Sequence, residues 1–543
     1  MKQVKIRKFQ VAILLVTILT ISYSFKSKFF EVAKQLEIYT ELYKELNMYY
    51  VNEINPAEFT NKAIKNTLKD LDPYTNYYDE QAVEEARIRR EGEYAGIGVS
   101  VYYDDEGITL TRIYKGYEAD KRGLKVGDII TKVDNQPLQN LEREELSQVL
   151  KGVPNTSLEI EYDRQGQKNT LTLIRQKVVV NPVPFYDMID EQTGFIVLTR
   201  FSKRASKEVK NAFKELRKRG MEQLVFDLRS NPGGSLREAI NICNFFLPKG
   251  STIVSTKAKI KKWSNTYRAN NLPLDLEIPI TVLVNGRSAS ASEIVSGALQ
   301  DYDRAVVIGE RSFGKGLVQR YRELSYGTQL KVTISKYYTP SGRCIQELDY
   351  ANRDENGNVP KFSDGTVTAF KTTNGRTVYD GGGVMPDIVV GYNKKTEATT
   401  ELIKSRAIFN YVTDYFYRNP SIASSQTYQF SDFKSFQQYL INSDDTFITR
   451  QEKKFQEAYE SLDEAKLISR EYQQIEKKLK QNKVDEISKN KEYITDLIEE
   501  QILERYYFKE GAFQNKLKQD KVIKEALDIL NNKQKYSKIL SGA

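Results

Sequence analysis

Between residues 182 and 390, short apolar runs alternate with amphipathic helical segments, and no other feature limits the possible folds as much. GFIVLTRF gives way to KEVKNAFKELRKRG, QLVFDLRSN to a helix starting at Leu236, and ITVLVN to SEIVSGALQ before RAVVIGE. Strands alternating with helices predict a sheet covered by helices. The flanking regions have other textures. Residues 26–91 read as helices broken at Leu71-Asp72-Pro73. Residues 92–177 hold short β-runs and glycine turns, including the pair SLEIEYDRQGQKNTLTLIRQ, with one helix from about Arg143 to Leu150. Beyond residue 395 the chain is rich in Lys, Glu and Gln and helical, and it reads as a solvated appendage. At 543 residues, three or four domains are expected.

Composition then removes whole classes of chemistry. The chain has no histidine, which excludes Ser-His-Asp and Cys-His apparatus and histidine-ligated zinc. Cys243 and Cys344 are its only cysteines, and neither lies in a CxxC pair. Cys243 falls on the apolar stripe Leu236, Ile240, Cys243, Leu247 and reads as a buried small side chain. No metal site and no cofactor are expected. The net charge of +9 is spread along the chain and gives no reason to expect nucleic acid.

At the amino terminus, Lys2, Lys5, Arg7 and Lys8 precede an uncharged run over residues 9–25. This pattern predicts an export signal or a short membrane anchor. Ser22-Tyr23-Ser24 is a weak cleavage site, so an uncleaved anchor over residues 1–25 is favoured. The remainder would then be exported into the cell envelope or periplasm and held at the inner membrane.

The unusual residues concentrate in NGRSASASEIVSGALQDYDRA, from Asn285, and VIGERSFGKGLVQ, from Val307. The first places serines at a strand-to-helix turn, where helix amides have no intrahelical partner and can hold an oxyanion. Ser290 with Glu293 also matches a capping box. The second matches a phosphate-binding loop from Gly309 through Gly314-Lys315, but Gly316 replaces the magnesium-binding Ser or Thr, and GLVQRYREL has a strand's texture. A lysine between glycines remains, with Lys315, Leu317 and Gln319 on one face of the expected strand. A lysine whose pKa is lowered by burial can replace histidine as the base that activates a serine. Residue reasoning leaves the choice among Ser288, Ser290 and Ser292 open. A second helix-entry turn, Asn231-Pro232-Gly233-Gly234, offers further amides and close backbone approach.

Together, SASASEI, GALQD, SFGKG, DLRSNPGG, a KYYTPSGRCIQ strand at 336–346 and GVMPDI resemble the C-terminal processing, or tail-specific, proteases over roughly residues 60–390. The resemblance implies Ser290 as nucleophile, Lys315 as base, Gln319 as the residue orienting it, and oxyanion amides at Ala291, Gly233 and Gly234. Glu293 and Asp301 match supporting positions. Ser312 stands where the family usually has threonine. The β-rich insert resembles the PDZ module of these proteases. Gly96, Ile97, Gly98 and Val99 match the loop that receives a peptide carboxylate, and the strand after them would pair with the peptide.

The expected architecture is multidomain α/β (α+β): an anchor over 1–25, a helical region over 26–91, a PDZ domain over 92–177, a crotonase-like Ser-Lys peptidase core over 178–395 and a helical extension over 396–543. The expected function is an exported, ATP-independent serine endopeptidase acting on proteins or peptides with exposed C-termini, without nucleic acid. A homo-oligomer stays open. The alternatives are a PDZ scaffold with an inactive protease core, or a Ser-Lys hydrolase of cell-wall peptides.

Overall fold

The computed structural model describes residues 29–139, 141–355, 357–362, 367–443, 447–461 and 469–542. The anchor expected over residues 1–25 lies outside them. Among the described residues, no helix is long and apolar enough to cross a membrane. The chain divides into two units, residues 1–77 and 78–543.

In the first unit, residues 29–49 are helical. A second helix, Pro56–Lys69, starts where Asn55 accepts from the amides of Ala57 and Glu58, with proline just inside the helix. Tyr43 joins the two: its ring lies 5.6 Å from that of Phe59, and its hydroxyl donates to Pro56 O.

The second unit is built around a six-stranded sheet in the order Phe185–Met188, Thr193–Val197, Gln223–Asp227, Ile280–Val284, Val306–Gly309, Ile388–Val389. The first pair is antiparallel and the other neighbours are parallel. Strands covered on both faces must be apolar throughout, as GFIV, LVF, ITVLV and VVI are. On one face, Ile196, Leu224, Phe226, Val282 and Val307 pack on the helices Ala205–Lys218, Leu236–Cys243 and Ala291–Asp301. Cys243 is buried in this layer, as expected. The alternate residues Phe195, Val197, Val225, Leu283, Val306 and Ile308 face the other way.

That second face is covered by the end of the chain. Val522, Ile523, Ala526, Ile529 and Leu530 of the helix Lys521–Asn531 pack directly on it. The solvated appendage expected beyond residue 395 is therefore not what forms. Residues 398–512 enclose a core of their own, with Tyr411, Phe436, Ile487, Ile498 and Ile502 buried, and the last helices complete the central layer. Charge-rich helical sequence hid an apolar stripe whose partner lies some three hundred residues upstream.

The β-rich region is an independent sheet of strands Val99–Asp104, Gly107–Ile113, Ile129–Val133, Ser157–Arg164 and Gln167–Ile174, with Gln136–Pro137 at its side. The helix Arg143–Val149 packs on it through Leu146. The expected hairpin turns at Gln165-Gly166, both at positive φ. The strand expected over 336–346 is corrected: it runs Gln329–Tyr338 and ends before Thr339-Pro340, where proline removes a ladder donor.

Candidate active site

Three adjacent parallel strands, Gln223–Asp227, Ile280–Val284 and Val306–Gly309, end on the same edge of the sheet. The loops after them carry Gly233-Gly234, Ser290 and Lys315 respectively. Residues more than eighty positions apart are thus brought to one edge, where open α/β sheets hold their ligands.

Ser290 sits at the turn into the helix Ala291–Asp301 with φ 56° and ψ −110°. Such a backbone is costly for a residue with a Cβ and persists only where its surroundings over-determine it. They do so here. Ser288 Oγ donates to Leu228 O at 2.9 Å, Ser292 Oγ donates to Asn231 O at 2.9 Å, and Ala289 N donates to the same carbonyl at 3.0 Å. Ser288 and Ser292 are fully buried, whereas Ser290 is half-buried. Two of the three serines that the sequence could not separate are therefore committed to holding the turn.

Glu293 fastens this turn to the lysine loop. Its carboxylate accepts from Ser290 N at 2.7 Å, Ser312 Oγ at 2.6 Å, Gly314 N at 2.7 Å and Lys315 N at 3.0 Å. Burial pushes its pKa above the ordinary glutamate value, against the lowering effect of those four donors. Ser312 in turn accepts from Val384 N, so the hydroxyl is what this position uses, and serine supplies it as threonine would. Tyr337, buried on the neighbouring strand, points its hydroxyl at both Ser290 O (3.1 Å) and Lys315 O (2.7 Å). Neither tie was anticipated for Tyr337; its only sequence signal is a tyrosine inside a strand of otherwise mixed character.

The glycines flanking Lys315 serve packing. A Cβ on Gly314 would lie 2.6 Å from Glu347 Cβ, and one on Gly316 would lie 2.8 Å from Gln346 N. Gly316 N donates to Gln346 Oε1. The chain then enters the strand Leu317–Glu323, not a helix, so the resemblance to a phosphate loop stops there. Lys315 precedes this strand and is half-buried; Gln319 lies within it, where its amide donates to Thr333 Oγ1 at 3.1 Å.

The Gly233-Gly234 turn lies directly against the serine: a Cβ on Gly233 would be 2.9 Å from Ser290 Cβ and 3.0 Å from Ala291 N. Gly233 N itself donates to Asn231 Oδ1 at 2.9 Å and is already engaged. Asn231, singled out in the sequence only as part of a glycine turn, is fully buried and braces both loops. Asp301 closes the far end of the same helix, accepting from Ser341 N and paired with the buried Arg343 at 2.8 Å. At ten positions from Ala291, it is about 15 Å along the helix from the serine turn.

In the β-rich module, Ile97 and Gly98 link the strands Glu93–Gly96 and Val99–Asp104, so that Gly96 ends the first and Val99 begins the second. Gly98 O accepts from Tyr114 N, so the next peptide groups, at Val99, face the opposite, open edge. There the Tyr94 hydroxyl accepts from Val99 N at 3.1 Å and donates to Val99 O at 2.9 Å. An internal phenol thus stands on the edge where a peptide strand would pair.

Comparison with known proteins comes to the same segments. Residues 192–351 match the model of peptidase family S41, residues 85–161 the PDZ domain, and residues 398–530 the C-terminal helical domain of probable PDZ-proteases. A probable CtpA-like serine protease of Staphylococcus aureus (strain MRSA252) is 34% identical over 309 residues, 56% of this chain and 61% of that protein. The chain thus spans less than two thirds of that relative's length. A carboxy-terminal-processing protease of Bartonella bacilliformis is 33% identical over 321 residues, covering 58% of this chain and 73% of the relative. Among solved structures, the photosystem II D1 C-terminal processing protease is 25% identical, with a TM-score of 0.36, and covers 65% of this chain and 92% of that one.

Proposed function

This chain belongs to the carboxy-terminal-processing proteases of peptidase family S41, and on that premise we propose that it is a serine endopeptidase working through a Ser290–Lys315 dyad. Ser290 Oγ attacks the scissile carbonyl while its proton passes to Lys315 Nζ. The amides of Ala291 and Gly234 receive the oxyanion. Lys315 returns the proton to the departing amine as the C–N bond breaks, leaving an acyl-serine that water hydrolyses by the same route reversed. Gln319 orients the lysine amine, and the rate rises with pH as that amine becomes neutral. No ATP enters this cycle. The observation that carries the reading is Glu293, whose one carboxylate grips the backbone of both Ser290 and Lys315.

The PDZ module would receive the substrate's C-terminus on the open edge at Val99, with its carboxylate on the amides of Ile97, Gly98 and Val99. We further propose that residues 9–25 carry the enzyme to the cell envelope. Protein substrates with accessible ends are its expected partners.

Cleavage of an unstructured protein such as casein tests the dyad. Ser290→Ala and Lys315→Ala should each abolish cleavage with the fold intact. Lys315→Arg should fail as well, because a guanidinium does not release its proton. Retained cleavage in Ser290→Ala, with loss in Ser288→Ala or Ser292→Ala, would move the nucleophile elsewhere.

A further inference from the structure

We propose that the cavity where the PDZ module, the peptidase core and the C-terminal helical domain meet is a binding site for a small anion bearing phosphate or carboxylate groups. The cavity measures about 270 Å³, room for about nine water molecules at liquid density. Its walls come from all three parts of the second unit: Ile113 and Lys115 of the PDZ module, Val180 of the core, and Phe416, Arg505 and Lys509 of the helical domain. None of these residues takes part in the Ser290–Lys315 arrangement.

Charge is the first argument. Arg112 at the cavity's edge is neutralised by Glu504 at 3.1 Å. Arg505 is held differently. Its Nη1 donates to Gln501 O, its Nη2 donates to Phe409 O and Thr413 Oγ1, and its Nε is buried without a partner. This half-buried guanidinium therefore has only neutral hydrogen-bonding partners, and the carboxylate that acts on it, Glu504, is already paired with Arg112. Burial pushes the Arg505 pKa down to about 10 and that of Lys509 below the ordinary lysine value, the direction expected of cations that are incompletely compensated. Around the cavity, five cationic side chains, Arg112, Lys115, Lys125, Arg505 and Lys509, face three carboxylates, Asp120, Glu504 and Glu510.

Backbone geometry is the second. The helix Lys491–Gln519 is broken at Phe508, whose φ of 57° and ψ of −168° are rare for a bulky side chain. Arg505 precedes the break, Lys509 follows it, and both line the cavity. The Lys115 ammonium lies 5.7 Å from the Phe508 ring centroid. Strained residues of this kind cluster at ligand sites and switch regions. An anion here would supply counter-charge to the ammonium groups of Lys115 and Lys509, both of which line the cavity. It would also tie the PDZ module to the helical domain at a joint already carrying Arg112–Glu504 and Arg406–Asp104.

Isothermal titration calorimetry of the full chain with sodium pyrophosphate, and separately with sodium citrate, tests this at fixed ionic strength. Saturable binding at one site per chain is expected for at least one of the two anions. Lys509→Gln or Lys115→Gln should weaken it by about tenfold or more, the loss of a charge-assisted hydrogen bond. Lys115 is exposed and Lys509 half-buried, so neither replacement should disturb the fold, which thermal unfolding without anion will verify. Lys168→Gln, on the exposed end of the PDZ hairpin, should leave the affinity unchanged. No saturable heat with either anion, or unchanged affinity in both lysine variants, overturns the proposal.

Discussion

The serine turn and the PDZ loop both sit at strand ends and both present backbone amides, yet they are held in opposite ways. Around Ser290 the backbone is fixed by fully buried groups: Glu293, Ser288 and Ser292 each bond main chain on a different loop, and the Asn231 carbonyl accepts from Ala289 N and Ser292 Oγ. At Val99 the exposed strand edge is satisfied by one phenol, Tyr94. The first arrangement stores a strained geometry that chemistry needs at a fixed position. The second satisfies polar groups that an incoming strand would satisfy equally well, so it can be displaced at little cost. On the proposed function, rigidity at the bond-making turn and exchangeability at the ligand-reading edge are built from the same material, side chains bonding main chain.

The sharpest way to break this contrast is Glu293→Gln. The amide keeps one acceptor but turns a donor either toward Ser290 N and Lys315 N or toward Ser312 Oγ and Gly314 N. Cleavage should fall on the order of a hundredfold, as expected for two charge-assisted bonds. Equal activity would mean that the carboxylate does not hold the two segments in register.

Acid should do reversibly what that substitution does permanently. Burial raises the Glu293 pKa, so the folded protein takes up this proton more readily than the unfolded chain. Its own contribution to stability therefore grows as pH falls through the raised value. One of the two carboxylate acceptors, each shared by two donors, is lost as the proton binds. Activity measured beside Tm at falling pH should decline more steeply in the wild type than in Glu293→Gln while the fold persists; relative profiles that superimpose would remove Glu293 from the pH dependence, and a parallel fall of activity and Tm would point to general acid unfolding instead.

At the recognition end, one long peptide offered with a free or an amidated C-terminus should be cut about tenfold better in the free form, since an amide cannot match a carboxylate as acceptor for the Ile97–Val99 amides. Equal rates would remove the carboxylate role and leave the dyad untouched. The smallest effect is expected from Tyr94→Phe. Deleting the hydroxyl removes the internal competitor, so peptide affinity by fluorescence anisotropy should rise about threefold, within the range of one neutral hydrogen bond. Weaker binding would show that the phenol supports the edge rather than occupying it.

Much of this molecule was legible in its sequence because apolar periodicity is a local signal. The runs GFIV, LVF and ITVLV declared a helix-covered sheet, and the Gln165-Gly166 turn declared its hairpin. What was not legible depends on contacts between distant segments. Ser290 could not be chosen over its neighbours because their commitment is made to Leu228 and Asn231, some sixty positions away. The helix Lys521–Asn531 carried a readable apolar stripe, but nothing local said that Val225 and Leu283 would be under it. Tyr94 and Tyr337 escaped for a related reason: a tyrosine in a strand says that a ring will be buried, while the main-chain group its hydroxyl will meet belongs to the tertiary fold.

The central claim is that one strained serine, and neither of its buried neighbours, is the nucleophile that Lys315 activates. Treating the folded protein with a fluorophosphonate and mapping the adduct by peptide mass spectrometry tests it most directly. The account predicts a single adduct on Ser290 that forms in the wild type and is lost, or slowed at least a hundredfold, in folded Lys315→Ala. An adduct on Ser288 or Ser292, or labelling of Ser290 that proceeds equally well without Lys315, would contradict it.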